Sequence, residues 1–196
     1  MKQNEIRSAL RESVIHIVAQ DGLENTTTKK IAQRAGLNEV YIYRVYQDKQ
    51  DLMRQIFLLE DFDFIQEILN QCSVMGAQEL SPETQYRAIW TSCWSYLMER
   101  PDSCLFYVRY FYSANFDEAV QKKHQSFCKH LLQQLNISEA LLHQILEMVW
   151  VFSSKVALGI WENDPQTAED CFCLLYGMCQ SARRMAVGQR TVHDWN

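Results

Sequence analysis

The sequence of 196 residues is poor in the residues that turn or interrupt regular structure, with six glycines and three prolines. A chain of β-strands needs a turn about every ten residues, so this scarcity argues against an all-β fold. Hydrophobic residues make up 47% of the chain, which is enough for a sizeable core and excludes disorder as the main state. We therefore predict an all-α protein.

Long hydrophobic runs are also missing. No apolar stretch approaches the roughly 18 to 20 residues of a membrane-spanning helix, and the charged N-terminus has no signal-peptide core. The seven cysteines are an odd number without a CxxC pair, which is typical of reduced thiols in a cytosolic protein. We expect a cytoplasmic protein with no membrane association, no disulfide framework, no cofactor and no metal ion.

The motifs of common enzyme classes are absent too. The sequence has no Gly-rich phosphate loop, no nucleophile elbow and no HExxH motif, so we expect no enzymatic activity. Two features keep metal or redox sensing as an alternative. His124 and Cys128 have i, i+4 spacing, and Cys171, Cys173 and Cys179 form a small cluster.

Positive charge is scarce over the whole chain, but not evenly. The formal net charge is −5, and an acidic protein is a poor match for nucleic acid. Residues 1–52 carry eight Lys and Arg against seven Asp and Glu, whereas residues 53–196 carry 11 against 17. The acidity therefore belongs to the C-terminal part. The N-terminal part, at +1, remains compatible with DNA, although it should bind non-specific DNA weakly.

Two short helices are predicted after a longer one at the N-terminus. Apolar residues at helical spacing predict a helix over residues 3–21 that ends at Gly22. A threonine cluster then caps a helix of about two turns over residues 29–35, and Asn38 caps another over about 39–45. Two short helices joined by a tight turn are typical of a helix-turn-helix, whose second helix enters the major groove of DNA. A purely structural pair of helices is the alternative.

Long apolar helices account for the rest of the chain. One opens near Asp48, and Pro82, Pro101 and Pro165 each fit the first turn of a further helix, where the missing N–H costs nothing. We predict about nine helices and no strand.

Two domains follow from this pattern. We predict a helix-turn-helix DNA-binding domain over residues 1–52 and a larger helical domain over residues 53–196. The last two helices are predicted over about 138–162 and 166–187.

The N-terminal segment also carries a family pattern. A glycine, a Thr-Thr pair, Ile-Ala, Ala-Gly, a tyrosine and a lysine stand at Gly22, Thr26-Thr27, Ile31-Ala32, Ala35-Gly36, Tyr43 and Lys49. With this spacing, residues 6–52 closely resemble the N-terminal domain of the TetR-type (tetracycline-repressor-like) transcriptional regulators. The resemblance implies a homodimer that binds a double-stranded DNA operator and responds to a small-molecule effector, with residues 53–196 as the effector-binding and dimerisation domain.

The resemblance and the side-chain chemistry together predict the DNA contacts. Four residues are expected to contact backbone phosphates: Thr28, Lys29, Tyr43 and Lys49. Four residues on the third helix are expected to read bases: Glu39, Val40, Tyr41 and Arg44. A glutamate accepts from a cytosine amino group, and Val40 and Tyr41 suit a thymine methyl. A pair between Glu39 and a neighbouring charge is the alternative.

The third helix departs from the common form of the family. Val40 stands where glycine is frequent, Tyr41 replaces a small Thr or Ser, Val45 replaces His and Tyr46 replaces Phe. The bulk of Val40 and Tyr41 rules out borrowing an operator sequence from the family. We interpret Tyr46 as a packing aromatic rather than as a DNA contact.

Aromatic residues are dense in the C-terminal part. Such density is typical of a core, but the resembled family encloses an effector pocket with its middle helices, and apolar pockets with a few polar groups suit small molecules. The candidate pocket residues are Trp90, Trp94, Tyr107, Phe111 and Trp150.

The last two helices are apolar on more than one face, so both faces must be buried. We interpret them as a subunit interface, which the resemblance also implies. The candidate interface residues are Val156, Ile160, Leu174, Met178 and Ala182. The favoured function is a homodimeric, sequence-specific DNA-binding transcriptional regulator that acts as a ligand-responsive repressor. The alternative is an all-α ligand-binding or redox- or metal-sensing module whose helix-turn-helix is only a scaffold.

Overall fold

The computed structural model describes residues 3–75, 80–135 and 137–193, and the regular structure in these ranges is entirely helical. The helices are α1 (Gln3–Asp21), α2 (Thr28–Arg34), α3 (Val40–Val45), α4 (Lys49–Met75), α5 (Pro82–Met98), α6 (Pro101–Phe111), α7 (Glu118–Leu135), α8 (Glu139–Ala157) and α9 (Pro165–His193). The predicted all-α fold is therefore confirmed over the described residues. Among them, no helix has the length and apolar character needed to cross a membrane.

Helices begin and end at the prolines and glycines from which the sequence analysis predicted their boundaries. Pro82, Pro101 and Pro165 are the first residues of α5, α6 and α9. Gly22 and Gly36, which follow α1 and α2, have φ angles of 84° and 66°. This left-handed conformation ends a helix and costs glycine little, because glycine has no Cβ.

Helix α8 is shorter than predicted. It ends at Ala157 rather than near residue 162, because Gly159 takes a φ of 67° and turns the chain. The N–H of Ile160 then bonds to the carbonyl of Lys155 at 2.9 Å, which closes the end of the helix. Ile160 therefore lies in the loop after α8 and not on the helix.

The chain divides into two compact units, and the division falls within α4 and within α7. The first unit comprises Met1–Phe64 and Glu99–Ser126, and the second comprises Ile65–Met98 and Phe127–Asn196. The first unit thus combines α1, α2 and α3 with α6. The predicted functional division after residue 52 is a different one and stays a prediction.

In the first unit, α1 packs along α6. The predicted apolar face of α1 is buried: Ile6, Leu10, Val14, Ile17 and Val18. Polar contacts add to this packing near both ends of α6. Nδ1 of His16 lies 2.7 Å from Oδ2 of Asp102, and Nη1 of Arg109 donates to the carbonyl of Val18 at 2.5 Å. The two helices are therefore held together by apolar burial and by bonds about two turns apart.

A carboxylate is buried in the same unit. Asp61 on α4 is 1% exposed, and its Oδ1 accepts a hydrogen bond from the Tyr107 hydroxyl of α6 at 2.9 Å. Nδ1 of His124 on α7 lies 2.9 Å from Oδ2 of the same carboxylate. Burial of a charged group is costly unless it is hydrogen-bonded, and these partners supply the bonds.

In the second unit, α5 packs against α8 and α9, and α8 packs against α9. The guanidinium of Arg87 on α5 bonds to Glu169 of α9 at 2.5 Å and lies over the ring of Phe172. The indole N–H of Trp90 donates to the carbonyl of Ala168 at 3.0 Å. These contacts fix α5 to the first half of α9.

Candidate nucleic-acid interface

Helices α2 and α3 form the predicted helix-turn-helix. Thr27 caps α2, because its hydroxyl accepts the N–H of Lys30 at 3.2 Å. Ile31 and Ala32 on α2 and Ile42 on α3 are buried at 3% exposure or less. The apolar faces of both short helices therefore point into the first unit, and their other faces are left for solvent or DNA.

The outer face of α3 is exposed and partly apolar. Val40 is 53% exposed and Tyr43 is 55% exposed, and Arg44 beside them is also exposed. Tyr41 is half-buried, and the guanidinium of Arg44 lies 5.1 Å from its ring centroid, which is the geometry of a cation–π contact. The structure thus presents Val40, Tyr43 and Arg44 most openly, and Tyr41 less so.

Thr28 and Glu39 contact each other. The hydroxyl of Thr28, the first residue of α2, donates to Oε1 of Glu39, the residue before α3. Asn38 contributes to the start of α3, because its Oδ1 accepts the N–H of Val40 at 2.9 Å. Sequence reasoning placed Thr28 at a phosphate and Glu39 at a base, and it did not anticipate this bond.

The same unit carries several cations on α2 and at the start of α4. Lys29 and Arg34 on α2 are exposed. Nζ of Lys49, the first residue of α4, donates to the carbonyl of Thr26 at 2.8 Å, which leaves two of its three N–H groups for other acceptors. Lys30 is paired with Asp21 at 2.7 Å. Of the predicted phosphate contacts, Lys29 is therefore exposed, and Lys49 is half-buried with its ammonium group at the start of α2.

Asp51 holds the junction between α3 and α4, and sequence reasoning missed this role. Its carboxylate accepts bonds from the Gln47 N–H at 3.0 Å, the Gln55 amide at 2.9 Å and Arg54 at 2.6 Å. Burial raises the pKa of Asp51, but these hydrogen bonds outweigh burial and hold the pKa below its usual value. The signal in the sequence was an aspartate in the first turn of a helix, where acidic residues cap and interact with the helix dipole.

Tyr46 packs inside the unit, as the sequence analysis interpreted it. Its side chain is buried, and the guanidinium of Arg7 on α1 lies 5.5 Å from its ring centroid. Burial raises the pKa of Tyr46 above its ordinary value, although the nearby Arg7 acts in the opposite direction. Tyr46 thus connects the end of α3 with the start of α1.

A family model agrees with this geometry. Residues 15–56, which include the helix-turn-helix and the start of α4, match the model described as bacterial regulatory proteins of the tetR family. The predicted resemblance to the TetR-type regulators is confirmed. With it the predicted class of function, a helix-turn-helix transcriptional regulator, is confirmed as well. No curated protein matches the sequence at a comparable level.

Solved structures of TetR-type regulators share the fold over most of the chain. A TetR family transcription regulator from Marinobacter aquaeolei is 21% identical, with a TM-score of 0.75, over 89% of this chain and 95% of that one. A tetR family regulator from a Shewanella species is 15% identical, with a TM-score of 0.72, over 88% and 96%. The regulator FadR from Bacillus subtilis, solved with stearoyl-CoA, is 14% identical, with a TM-score of 0.66, over 86% and 96%. These TM-scores show that the fold is shared.

The candidate pocket residues are distributed over both units. Trp90, Trp94 and Trp150 belong to the second unit and are each buried, with the rings of Trp90 and Trp94 5.0 Å apart. Tyr107 and Phe111 belong to the first unit, where their rings stack at 6.0 Å. Their role in effector binding stays a prediction.

The candidate interface residues all lie in the second unit. Ile160 and Leu174 are 63% and 58% exposed, which is unusual for large aliphatic side chains. Val156, Met178 and Ala182 are half-buried. A second subunit would cover Ile160 and Leu174. This interface stays a prediction.

Proposed function

We propose that this protein binds a double-stranded DNA operator as a homodimer in the cytoplasm. Occupation of the operator represses transcription, and a small-molecule effector releases the protein from the DNA. The observation that carries the proposal is the exposed face of α3, which presents Val40, Tyr43 and Arg44 on the second helix of a helix-turn-helix. A helix-turn-helix places this face of its second helix in the major groove.

The proposed phosphate contacts position the protein on DNA and do not read its sequence. The exposed Tyr43 hydroxyl and the ammonium groups of Lys29 and Lys49 are the proposed donors. Thr28 is the weakest of the four predicted contacts, because its single hydroxyl proton is donated to Glu39 in the structure.

Base contacts belong to the residues that begin α3 and line its outer face. Val40 suits the C5-methyl group of thymine, and Arg44 suits the paired acceptors of guanine once its guanidinium leaves the ring of Tyr41. Glu39 suits a cytosine amino group. Tyr41 is half-buried beneath Arg44, so only the edge of its ring is proposed to contact a thymine methyl group.

A mobility-shift titration on duplex DNA from upstream of the gene tests DNA binding. We expect binding that weakens steeply with salt, and Lys49→Ala should reduce the slope of log affinity against log salt by about 0.9 for each phosphate that the variant no longer neutralises. Tyr43→Phe should weaken binding about tenfold without changing the slope, because it removes a hydrogen bond and no charge.

Gln33→Ala is the matched control, because the Gln33 side chain is exposed on α2 and makes no hydrogen bond within the described part of the chain. It should bind as the wild type does. No binding at low salt by the wild-type protein would refute the proposed function.

Dimerisation is proposed through the exposed aliphatic side chains of the second unit. Ile160 and Leu174 gain from burial against a second copy, and a two-fold axis would make each contact twice. Two recognition helices would then lie about 34 to 36 Å apart, one turn of DNA, so the operator should be a pseudo-palindrome.

Light scattering on the full chain tests this interface. Leu174→Asp should shift the mass toward the monomer. Val74→Asp is the matched control, because Val74 is 54% exposed in the same unit but is not in the predicted interface. A Leu174→Asp protein that remains dimeric would rule out this part of the proposal.

The effector is proposed to be largely apolar, because the candidate residues of each unit are aromatic: Trp90, Trp94 and Trp150 in the second unit, and Tyr107 and Phe111 in the first. The structurally similar FadR from Bacillus subtilis was solved with stearoyl-CoA, so a long-chain acyl-CoA is the first compound to test. We expect it to release operator in the mobility-shift assay and to change tryptophan fluorescence. Unchanged fluorescence and unchanged operator binding would exclude this class of effector.

A further inference from the structure

We propose that Thr28 is a positioning residue that aims the carboxylate of Glu39, and that Glu39 thereby selects cytosine at one base pair of each half-site. This inference rests on the proposed function, and it adds the base class and a specificity-determining pair. Thr28 thus acts through Glu39 rather than on the DNA itself.

The geometry gives Glu39 a defined direction. Thr28 stands in the first turn of α2 and Glu39 directly before α3, so their hydrogen bond bridges the two helices of the motif. The side chain of Thr28 is β-branched and has few rotamers, whereas Glu39 has three rotatable bonds. The bond to the stiff Thr28 side chain therefore restrains the flexible Glu39 side chain before DNA binds. Binding then does not have to include the entropic cost of ordering Glu39.

The chemistry fixes which atom is free to read a base. An ionised carboxylate only accepts hydrogen bonds, so Thr28 is the donor. The bond uses Oε1 of Glu39, and Oε2 has no hydrogen-bond partner within residues 3–75, 80–135 and 137–193. Oε2 is thus the oxygen with both lone pairs left for a donor on the edge of a base.

The base edges of the major groove then decide the preference. Guanine presents two acceptors and thymine presents O4, so both repel a carboxylate. Adenine presents its amino group next to the acceptor N7, whereas cytosine presents its amino group without an adjacent acceptor. A carboxylate held in one direction therefore fits cytosine best.

The charge of Glu39 adds a second effect. It stands on the surface that approaches the phosphates, and the first 52 residues have a net charge of only +1. A carboxylate here weakens binding to every sequence by repulsion, and only the correct base compensates for it. Glu39 therefore contributes specificity and lowers non-specific affinity.

The test is selection from a pool of random duplex DNA by the full-length protein, followed by sequencing. The wild type should select a pseudo-palindrome with a strongly preferred cytosine at one position of each half-site. Glu39→Gln should change that preference toward adenine, which matches the donor and acceptor of a glutamine amide. It should also bind random DNA more tightly than the wild type.

Thr28→Val separates positioning from direct contact. It should reduce the cytosine preference about tenfold at that position only, and Thr28→Ser should restore it because serine also donates. Gln33→Ala on the same helix should leave every position unchanged.

Two results would overturn the inference. One is a Thr28→Val protein that selects the same sequences as the wild type. The other is uniform weakening at all sequences, which would instead place Thr28 at a phosphate, as the sequence analysis predicted. A wild-type protein that selects no sequence would overturn the proposed function and this inference together.

Discussion

Replacing Asp51 by asparagine tests how the junction between α3 and α4 is held. The wild-type carboxylate is 6% exposed and accepts three hydrogen bonds, two at Oδ2 from Gln47 and Gln55 and one at Oδ1 from Arg54. Asparagine has the same shape but only one acceptor oxygen, so it loses the bonds on one side. Because a hydrogen bond to a charged group is worth about 1.5 to 3 kcal/mol, we expect the free energy of unfolding to fall by about 2 to 3 kcal/mol.

Urea unfolding followed by helical circular dichroism, at one fixed protein concentration, measures this loss. Asp48→Asn is the matched control. Oδ1 of Asp48 only caps the N–H of Asp51, at 2.7 Å, and asparagine caps a helix as well as aspartate does. We expect that control to change the free energy of unfolding by less than about 0.5 kcal/mol.

The pH dependence provides an independent check. The folded-state pKa of Asp51 is lowered from 3.8, so its stabilisation is present above that value and is lost as the pH falls through the lowered pKa. The difference between wild type and Asp51→Asn should therefore stay constant from neutral pH to about pH 5. Equal stabilities of Asp51→Asn and Asp48→Asn would refute the reasoning.

Three further outcomes are expected. Tyr107→Phe should lower the free energy of unfolding by about 1.5 to 3 kcal/mol, because the hydroxyl bonds to a buried carboxylate. Tyr43→Phe is the control, because that side chain is 55% exposed, and it should leave the free energy of unfolding unchanged in the same urea titration. Gly22→Ala should lower the free energy of unfolding by about 1 to 2 kcal/mol, because the φ of 84° at this position strains any residue with a Cβ. Gly177→Ala is the control, because Gly177 lies within α9 with open space at the position of a Cβ, and it should not lower the thermal midpoint. Of the seven cysteines only Cys173 is exposed, so a thiol reagent should label the native protein once and Cys173→Ser not at all.

Local signals in the sequence predicted much of the fold. Proline at the first position and glycine just after a helix act on the backbone itself, so Pro101 and Gly22 marked boundaries without knowledge of the packing. The apolar spacing of α1 predicted its buried face for the same reason. The end of α8 was wrong because the apolar pattern continues past Gly159, and a single glycine within an apolar pattern does not reveal its φ.

The candidate site was predictable to the level of the helices and not of their contacts. Exposure of Val40 and Tyr43 follows from the period of α3, which places Ile42 inward. The bond between Thr28 and Glu39 joins residues on different helices, and no local pattern reports a side-chain direction across a turn. For the same reason, local sequence patterns did not predict that α6 packs on α1, which is about 90 residues away in the sequence.

The packing of α6 on α1 has a consequence for how this regulator can be divided and recombined. Asp102 and Arg109 belong to α6, yet their partners His16 and Val18 lie in the helix that precedes the helix-turn-helix. A fragment cut after residue 52 would expose the apolar surface that α6 covers. The helix-turn-helix is therefore not a portable module. A chimera designed to test the proposed operator preference should transplant the face of α3 and keep α1 with its own α6.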